Sequence, residues 1–190
     1  RTRDTALELA TRHNVDARKV ELAALGHDLL RAASDRELLE QALTIGLTVH
    51  PVEERVPILL HGPLAAQRLR HLGIIADAEV LEAIQWHSTA CPGMGRVGLV
   101  VFLADKLDPM KARRSHWLKR LAATARESLE TAAAEYLTRE IALLLKAGSL
   151  LHPASVEARN YLLLLVSKPP GDGGKQTDES TSKRTRGHLP

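Results

Sequence analysis

Five residues of this sequence carry side chains that bind divalent metals, and each lies on or beside an apolar helical pattern: His27, Asp28, His61, His87 and Asp105. The pair His27-Asp28 means little alone, because short motifs match by chance and a helix dipole favours a histidine in the last turn. Asp105 is more informative, since it follows four apolar residues and a carboxylate buried there needs a cation or another partner. Imidazole and carboxylate ligands together suit iron, manganese, cobalt or zinc. The set therefore predicts a metal site at the centre of a helical bundle.

Hydrophobic periodicity predicts an all-α fold around these residues. Asp16 and Asp77 are predicted N-caps, and Ser34 with Glu37 has the spacing of a capping box. Two prolines predict that residues 47–60 form a loop or a short, broken helix. The predicted helices cover residues 2–12, 16–33, 34–46, 61–72, 77–87, 97–107, 115–146 and 154–167.

Composition predicts one domain over residues 1–167 and a disordered tail over 168–190, where Pro, Gly, Ser, Thr and charge dominate. The single cysteine, Cys91, excludes an internal disulfide and favours a cytoplasmic location. No apolar run approaches the roughly 20 residues that span a bilayer, so no membrane association is expected. The net charge is +3, partly from basic residues of the tail, but no basic stripe with interleaved aromatic residues argues for nucleic acid.

Four separated motifs give a more specific signal. The order His27-Asp28, His61, His87, Asp105 resembles the H…HD…H…H…D pattern of HD-domain metal-dependent phosphohydrolases. The sequence segments around these residues resemble those of the YqeK family of bacterial HD enzymes. The segments are Leu60-His61-Gly62-Pro63, Trp86-His87-Ser88-Thr89-Ala90-Cys91-Pro92-Gly93-Met94 and Ala104-Asp105-Lys106-Leu107-Asp108-Pro109. That family splits diadenosine tetraphosphate symmetrically into two ADP. The resemblance runs from Arg1 to about Leu165 and implies an HD-domain helical bundle.

The resemblance also implies a dinuclear site. Asp28 is expected to bridge two divalent ions, of which iron is favoured and manganese, cobalt and zinc are alternatives. His27 and Asp105 complete one metal site in this scheme, and His61 with His87 completes the other. A hydroxide held by the ions attacks the phosphorus in line. The family has a further metal-binding histidine in its first helix, which we expect upstream of Arg1, in a segment that the sequence does not include.

The resemblance assigns further roles around the metals. Asp28, Lys106 and Arg31 form the expected catalytic set, with Lys106 and Arg31 neutralising phosphate charge. Arg31 stands where the family usually has a lysine, and it retains the charge. Ser88, Thr89 and Gly93 are the expected substrate-binding residues: the two hydroxyls bind phosphate oxygens and the glycine loop shapes the nucleotide pocket.

Other functions remain open at the level of the sequence. A different HD nucleotide phosphatase or phosphodiesterase has the same ligand pattern, because one scaffold hosts many substrates. A non-catalytic module that binds a nucleotide or a protein is a second alternative, and a homodimer is compatible with either. The remaining histidines fit no motif and are predicted to be surface or loop residues: His13, His50, His71, His116, His152 and His188. Trp86 and Trp117 are predicted to lie in the core or in a pocket wall.

Overall fold

The computed structural model describes residues 1–107 and 115–167. Its α-helices are α1 (Thr2–His13), α2 (Ala17–Gly26), α3 (Asp35–Thr44), α4 (Pro51–Arg55), α5 (His61–His71), α6 (Ala78–Trp86), α7 (Arg96–Lys106), α8 (His116–Glu127), α9 (Leu129–Lys146) and α10 (Pro153–Val166). A 3-10 turn, Pro57–Leu60, lies between α4 and α5. No strand occurs in the described residues, and the predicted all-α fold is confirmed. Within the same residues, no helix is long and apolar enough to cross a bilayer. The predicted disordered tail, 168–190, lies outside the described residues.

The helix starts follow the predicted capping residues. Asp16 accepts hydrogen bonds from the first free N–H groups of α2, and Asp77 does the same for α6. Ser34 and Glu37 form the predicted capping box at the start of α3. These three helix starts are therefore confirmed, and local side-chain chemistry explains each of them.

The helix predicted over residues 16–33 is shorter than expected and ends at Gly26. Beyond it, backbone N–H groups bond carbonyls three residues earlier, so residues 27–33 form successive tight turns. Gly26 is a poor helix former, and a Cβ at this position would lie 2.9 Å from Ile84 Cδ1 and 3.0 Å from Leu69 Cδ1, so these two side chains pack closely against it. The metal-binding candidates of this segment therefore stand at a helix end.

The helix predicted over residues 115–146 is divided at Ser128 into α8 and α9. Ser128 has an extended backbone, with φ −148°, and its hydroxyl accepts a hydrogen bond of 3.1 Å from the N–H of Thr131. Serine side chains compete with helical backbone bonds and favour such cap positions. Periodicity alone missed this break because the apolar pattern continues across it.

Helix α7 is the centre of the main core, and α1, α6 and α9 pack against it. Its buried residues are Val97, Gly98, Leu99, Val100, Val101, Phe102, Leu103 and Ala104. A smaller apolar cluster joins α3 to the 3-10 turn and α5, and it consists of Leu30, Leu38, Ala42, Leu60 and Leu64. Burial of a leucine side chain contributes roughly 1.5–3 kcal/mol. The smaller cluster therefore holds in place the turns after α2 and before α5.

A buried contact ties α4 to the start of α10. Glu53 Oε1 lies 3.5 Å from His152 Nε2, and these side chains are only 12% and 9% exposed. His152 Nδ1 accepts a hydrogen bond from the N–H of Ala154 and so caps α10. His152 lies in the loop before α10, in agreement with the prediction of a surface or loop histidine, and its ring is largely covered because it caps a packed helix start.

Glu53→Gln is expected to destabilise the fold by about 1 kcal/mol at pH 7 and to lose this effect in acid. Burial alone raises the pKa of the Glu53 carboxyl, but hydrogen bonds with His152 and with the N–H of His50 outweigh it and lower the pKa. A carboxyl with a lowered folded-state pKa stabilises the fold above its unfolded pKa of about 4.3, and the contribution disappears as pH falls through the folded value. Urea unfolding at neutral pH and near pH 3 measures this, with exposed Glu54→Gln as the control. A destabilisation of equal size at both pH values would contradict the assignment.

Candidate metal centre

The five candidate metal ligands all stand at helix ends. His27 caps the C-terminus of α2 and Asp28 follows it, while His87 caps the C-terminus of α6. His61 is the first residue of α5, and Asp105 is the last residue but one of α7. The three imidazoles are buried, whereas the Asp28 side chain is 48% exposed. The ligands therefore converge where three helices end and one begins, with Asp28 facing outward.

Each histidine is fixed by the same local contact, a hydrogen bond from Nδ1 to the carbonyl three residues earlier. The distances are 2.8 Å from His27 to Ala24, 2.5 Å from His61 to Ile58 and 2.7 Å from His87 to Ile84. A carbonyl only accepts, so Nδ1 carries the proton and Nε2 of a neutral ring is left with its lone pair. Bonds of this kind orient metal-binding histidines in general. All three rings thus present Nε2 to the same small volume.

The carboxylate of Asp28 joins two groups of ligand atoms. Its Oδ1 lies 3.4 Å from His61 Nε2 and 3.8 Å from His87 Nε2. Its Oδ2 lies 3.3 Å from His27 Nε2, which in turn is 3.8 Å from Asp105 Oδ1. Within each group, Asp28-His61-His87 and His27-Asp28-Asp105, the ligand atoms lie within 4.8 Å of one another. One oxygen of Asp28 is therefore available to each group.

Two features show that these donors fit a cation. The Nε2 atom of His27 is fully buried and has no hydrogen-bond partner among the described residues. The Nε2 atoms of His61 and His87 lie 2.9 Å apart, although both rings already donate through Nδ1. Two lone pairs at that distance repel each other unless a proton or a metal ion lies between them. The donor set, imidazole with carboxylate, is one that binds divalent transition metals.

The electrostatics of the centre favour cation binding. Burial alone lowers the pKa of His27, but Asp105 and Asp28 outweigh it and raise the pKa to about 9. Contacts led by His27 hold the pKa of Asp28 well below its usual range. Burial alone raises the pKa of Asp105, but His27 and Lys106 outweigh it and lower the pKa. Burial lowers the pKa of His87 to about 3. At neutral pH both carboxylates are ionised and His87 is neutral, and the two carboxylates favour a positive charge at His27, which a proton or a metal ion can supply.

Four of the metal-binding candidates, Asp28, His61, His87 and Asp105, line one side of a cavity of about 670 Å³, a volume typical of a small-molecule site. Arg31 and Lys106, the expected phosphate-binding cations, also line it. The Lys106 ammonium lies 2.9 Å from Asp105 Oδ2, so it is held beside a candidate metal ligand. Ser88 lines the cavity too, and its Oγ is 3.2 Å from His87 Nε2. These residues form one polar surface.

Two of the expected substrate-binding residues lie away from this surface. Thr89 is buried and lines a neighbouring cavity of about 170 Å³. Gly93 has a φ of +72° in the loop before α7 and lines neither cavity. The role of Gly93 in shaping a nucleotide pocket therefore has no contact in the described residues to support it, and its glycine is explained by the left-handed backbone of the loop.

The opposite wall of the larger cavity contains residues that sequence reasoning missed. Tyr136, Arg139 and Glu140 of α9 line it, together with Trp117 of α8, which was predicted to be core or pocket wall. The Arg139 guanidinium lies 4.6 Å from the centre of the Trp117 ring, a cation–π contact. The signal in the sequence was the spacing of Tyr136, Arg139 and Glu140 at i, i+3 and i+4, which places three polar or aromatic residues on one helix face.

Comparison with known proteins now identifies the family. Residues 1–110 match the family described as the HD domain. The chain belongs to the HD domain family. All five candidate metal ligands lie within the matched residues, whereas the wall from α8 and α9 lies outside them.

Several relatives extend the similarity beyond the HD domain. The chain is 30% identical over 161 residues to a symmetrical bis(5'-nucleosyl)-tetraphosphatase of Halalkalibacterium halodurans, covering 85% of this chain and 84% of that protein. It is 27% identical over 170 residues to a protein of the same name from Staphylococcus aureus, covering 85% and 82%. The fold is similar to a crystal structure of a predicted HD superfamily hydrolase involved in NAD metabolism from Clostridium acetobutylicum, with a TM-score of 0.81, 29% identity and 86% of each chain covered. The protein is therefore an HD-type hydrolase.

Proposed function

We propose that this HD-domain protein is a metal-dependent phosphohydrolase that splits diadenosine tetraphosphate symmetrically into two ADP. The main support for the proposal is that two groups of candidate ligands, Asp28-His61-His87 and His27-Asp28-Asp105, share Asp28 beside a cavity of about 670 Å³. The choice of substrate is supported by the names of the relatives that match most of the chain. The reaction consumes one water and breaks the central P–O–P linkage, so each product keeps two phosphates.

The proposal assigns two divalent cations to the ligand groups. Asp28, His61 and His87 would hold one, and His27, Asp28 and Asp105 the other. The family resemblance favours iron. Manganese, cobalt and zinc are alternatives, because imidazole and carboxylate ligands accept all four metals. When bound, such ions supply Lewis acidity toward water and toward phosphoryl oxygens. The buried, unpartnered Nε2 of His27 supports the second group as a site that needs a cation.

Side chains of the cavity provide the rest of the chemistry. A tetraphosphate carries several negative charges, and Arg31, Lys106 and Arg139 are three cations on its proposed path. The Lys106 ammonium is held 2.9 Å from Asp105 Oδ2, so its position is restricted while its other N–H groups remain available to phosphate oxygens. Arg139 is held flat by its contact with Trp117, so little rotamer entropy is lost when it binds an anion. Preorganised charges of this kind stabilise a phosphoryl group as its charge rises.

Product analysis tests the proposal. The purified chain is incubated with diadenosine tetraphosphate and each of the four metals in turn, and nucleotides are separated by chromatography. ADP as the sole product, formed only with metal and lost on chelation, is the expected result. ATP with AMP in equal amounts would mean asymmetric cleavage and would refute the symmetrical reaction. No turnover with any of the metals would refute the substrate.

A further inference from the structure

A second cavity, of about 170 Å³, opens beside the metal centre, and its walls differ in character from those of the larger one. Leu59, Ser88 and Glu140 line both cavities, so the two share a common wall. Ser88 is also the residue whose Oγ lies 3.2 Å from His87 Nε2. A ligand that reached from the small cavity past this wall would arrive at the candidate metal ligands.

Apolar side chains form most of the small cavity. Leu137, Ile141 and Leu144 come from one face of α9, and Leu150 and Leu151 come from the segment that follows it. A cavity of about 150 Å³ lined by apolar side chains admits a benzene ring. The small cavity, at about 170 Å³, is therefore large enough to admit an aromatic ring.

The polar groups of the small cavity lie at defined positions and are held by the fold. His152 is fixed through both ring nitrogens, by Ala154 N–H and by Glu53. Ser155 donates a hydrogen bond of 2.8 Å to the carbonyl of Thr89, which joins α10 to the segment carrying His87. Glu140, on the shared wall, is half-buried and presents a carboxylate that accepts hydrogen bonds from hydroxyl groups. A mostly apolar pocket with a few fixed polar groups is typical of a cofactor or nucleotide site.

We propose that the small cavity binds the nucleobase of the substrate, with the ribose at the shared wall beside Glu140 and the phosphates in the larger cavity. This inference rests on the proposed function, because it requires a nucleotide at the metal centre. It specifies which end of the substrate the protein recognises, namely a base inserted among Ile141, Leu144 and residues 150–152. Most of the apolar wall of the cavity, from α9 and the segment after it, lies outside the residues that match the HD domain, 1–110, whereas Val56, Leu59, Ser88 and Thr89 lie within them. Base recognition would therefore combine residues of the HD domain with α9 and the segment after it.

Two neighbouring leucines of α9 give a matched test. Leu144 lines the small cavity, whereas Leu145 is 63% exposed and lines neither cavity. Leu144→Trp is expected to fill the cavity and weaken ADP binding by about tenfold, while binding of inorganic pyrophosphate stays within about twofold. Leu145→Trp is expected to change neither. Binding is measured calorimetrically on metal-loaded protein, with circular dichroism and thermal unfolding to verify the fold.

Other outcomes would overturn the inference. If Leu144→Trp weakens ADP and pyrophosphate equally, the cavity does not recognise the nucleoside. If it changes neither, the cavity is an unused void. Should Leu144→Trp fail to fold, Ile141→Phe adds less volume to the same cavity and the same comparison decides. Because binding is measured without turnover, this failure is distinct from failure of the symmetrical hydrolysis, which product analysis detects.

Discussion

Replacing Asp28 by alanine is expected to remove both metal ions and to reduce turnover by on the order of a thousandfold or more. Asp28 is the one residue that belongs to both ligand groups, with Oδ1 facing His61 and Oδ2 facing His27. A metal ion acting as a Lewis acid contributes several kcal/mol to transition-state stabilisation, and about 1.4 kcal/mol corresponds to a factor of ten. The fold should survive, because the side chain is 48% exposed and belongs to neither apolar cluster.

Metal content by inductively coupled plasma mass spectrometry and turnover of diadenosine tetraphosphate measure this effect. Asp35→Ala, at an exposed position in the first turn of α3, is the control and should keep wild-type values. A variant at Asp28 that keeps its metal and turns over at the wild-type rate would refute the bridging role. Loss of metal in both variants would instead indicate a general loss of structure.

Gly62→Ala is expected to destabilise the fold by about 1–3 kcal/mol and to weaken metal binding at the same time. A Cβ at Gly62 would lie 2.8 Å from the carbonyl oxygen of Gln85, 2.9 Å from that of Ile84 and 3.2 Å from His87 Cε1. Backbone carbonyls cannot move aside as a flexible side chain can. In an exposed helix the same substitution stabilises, by up to about 1 kcal/mol, because alanine is the better helix former. Helix propensity alone would predict that the substitution stabilises the fold, whereas these contacts predict that it destabilises the fold. The ring that the new Cβ would displace is His87, a candidate metal ligand, so metal binding should weaken as well.

Gly95→Ala is the matched control for this prediction. Its new Cβ would meet only the flexible carboxylate of Glu82, at 3.4 Å, and its backbone is in an ordinary region with φ −65°. We expect a loss of no more than about 1 kcal/mol, since glycine is only moderately better than alanine as an N-cap, and unchanged metal affinity. Urea unfolding and metal titration give both quantities. Wild-type stability together with wild-type metal affinity in Gly62→Ala would show that α5 and α6 are not packed as described.

The sequence predicted the ligand cluster and most helices because the relevant signals are local or belong to a motif. Asp105 stood out as a carboxylate in the most apolar segment, and Asp16, Ser34 and Asp77 marked helix starts that the structure confirms. The family resemblance gave the expected assignment of these residues to two metal sites, which spacing alone could not. None of this required knowledge of which helices pack together.

Features that depend on packing between distant segments were not predicted. Gly26, at the end of α2, packs closely against Ile84, which lies 58 residues later in the sequence. Burial of His152 depends on Glu53 of α4. The wall of Tyr136 and Arg139 depends on how α9 crosses the metal centre, and periodicity shows only that such residues share a face. The side of the cavity formed by α8 and α9 was therefore the part that the sequence left undetermined.

Anomalous X-ray diffraction from crystals of the metal-loaded protein tests the central claim most directly, because it locates the ions without assuming a reaction. The proposal predicts two anomalous peaks on either side of the Asp28 carboxylate, one against His61 and His87 and the other against His27 and Asp105. Two results would contradict the assignment of this cluster as the metal centre. One is a fully occupied metal ion elsewhere in the chain, and the other is the absence of a peak at these five residues in protein that binds metal in solution.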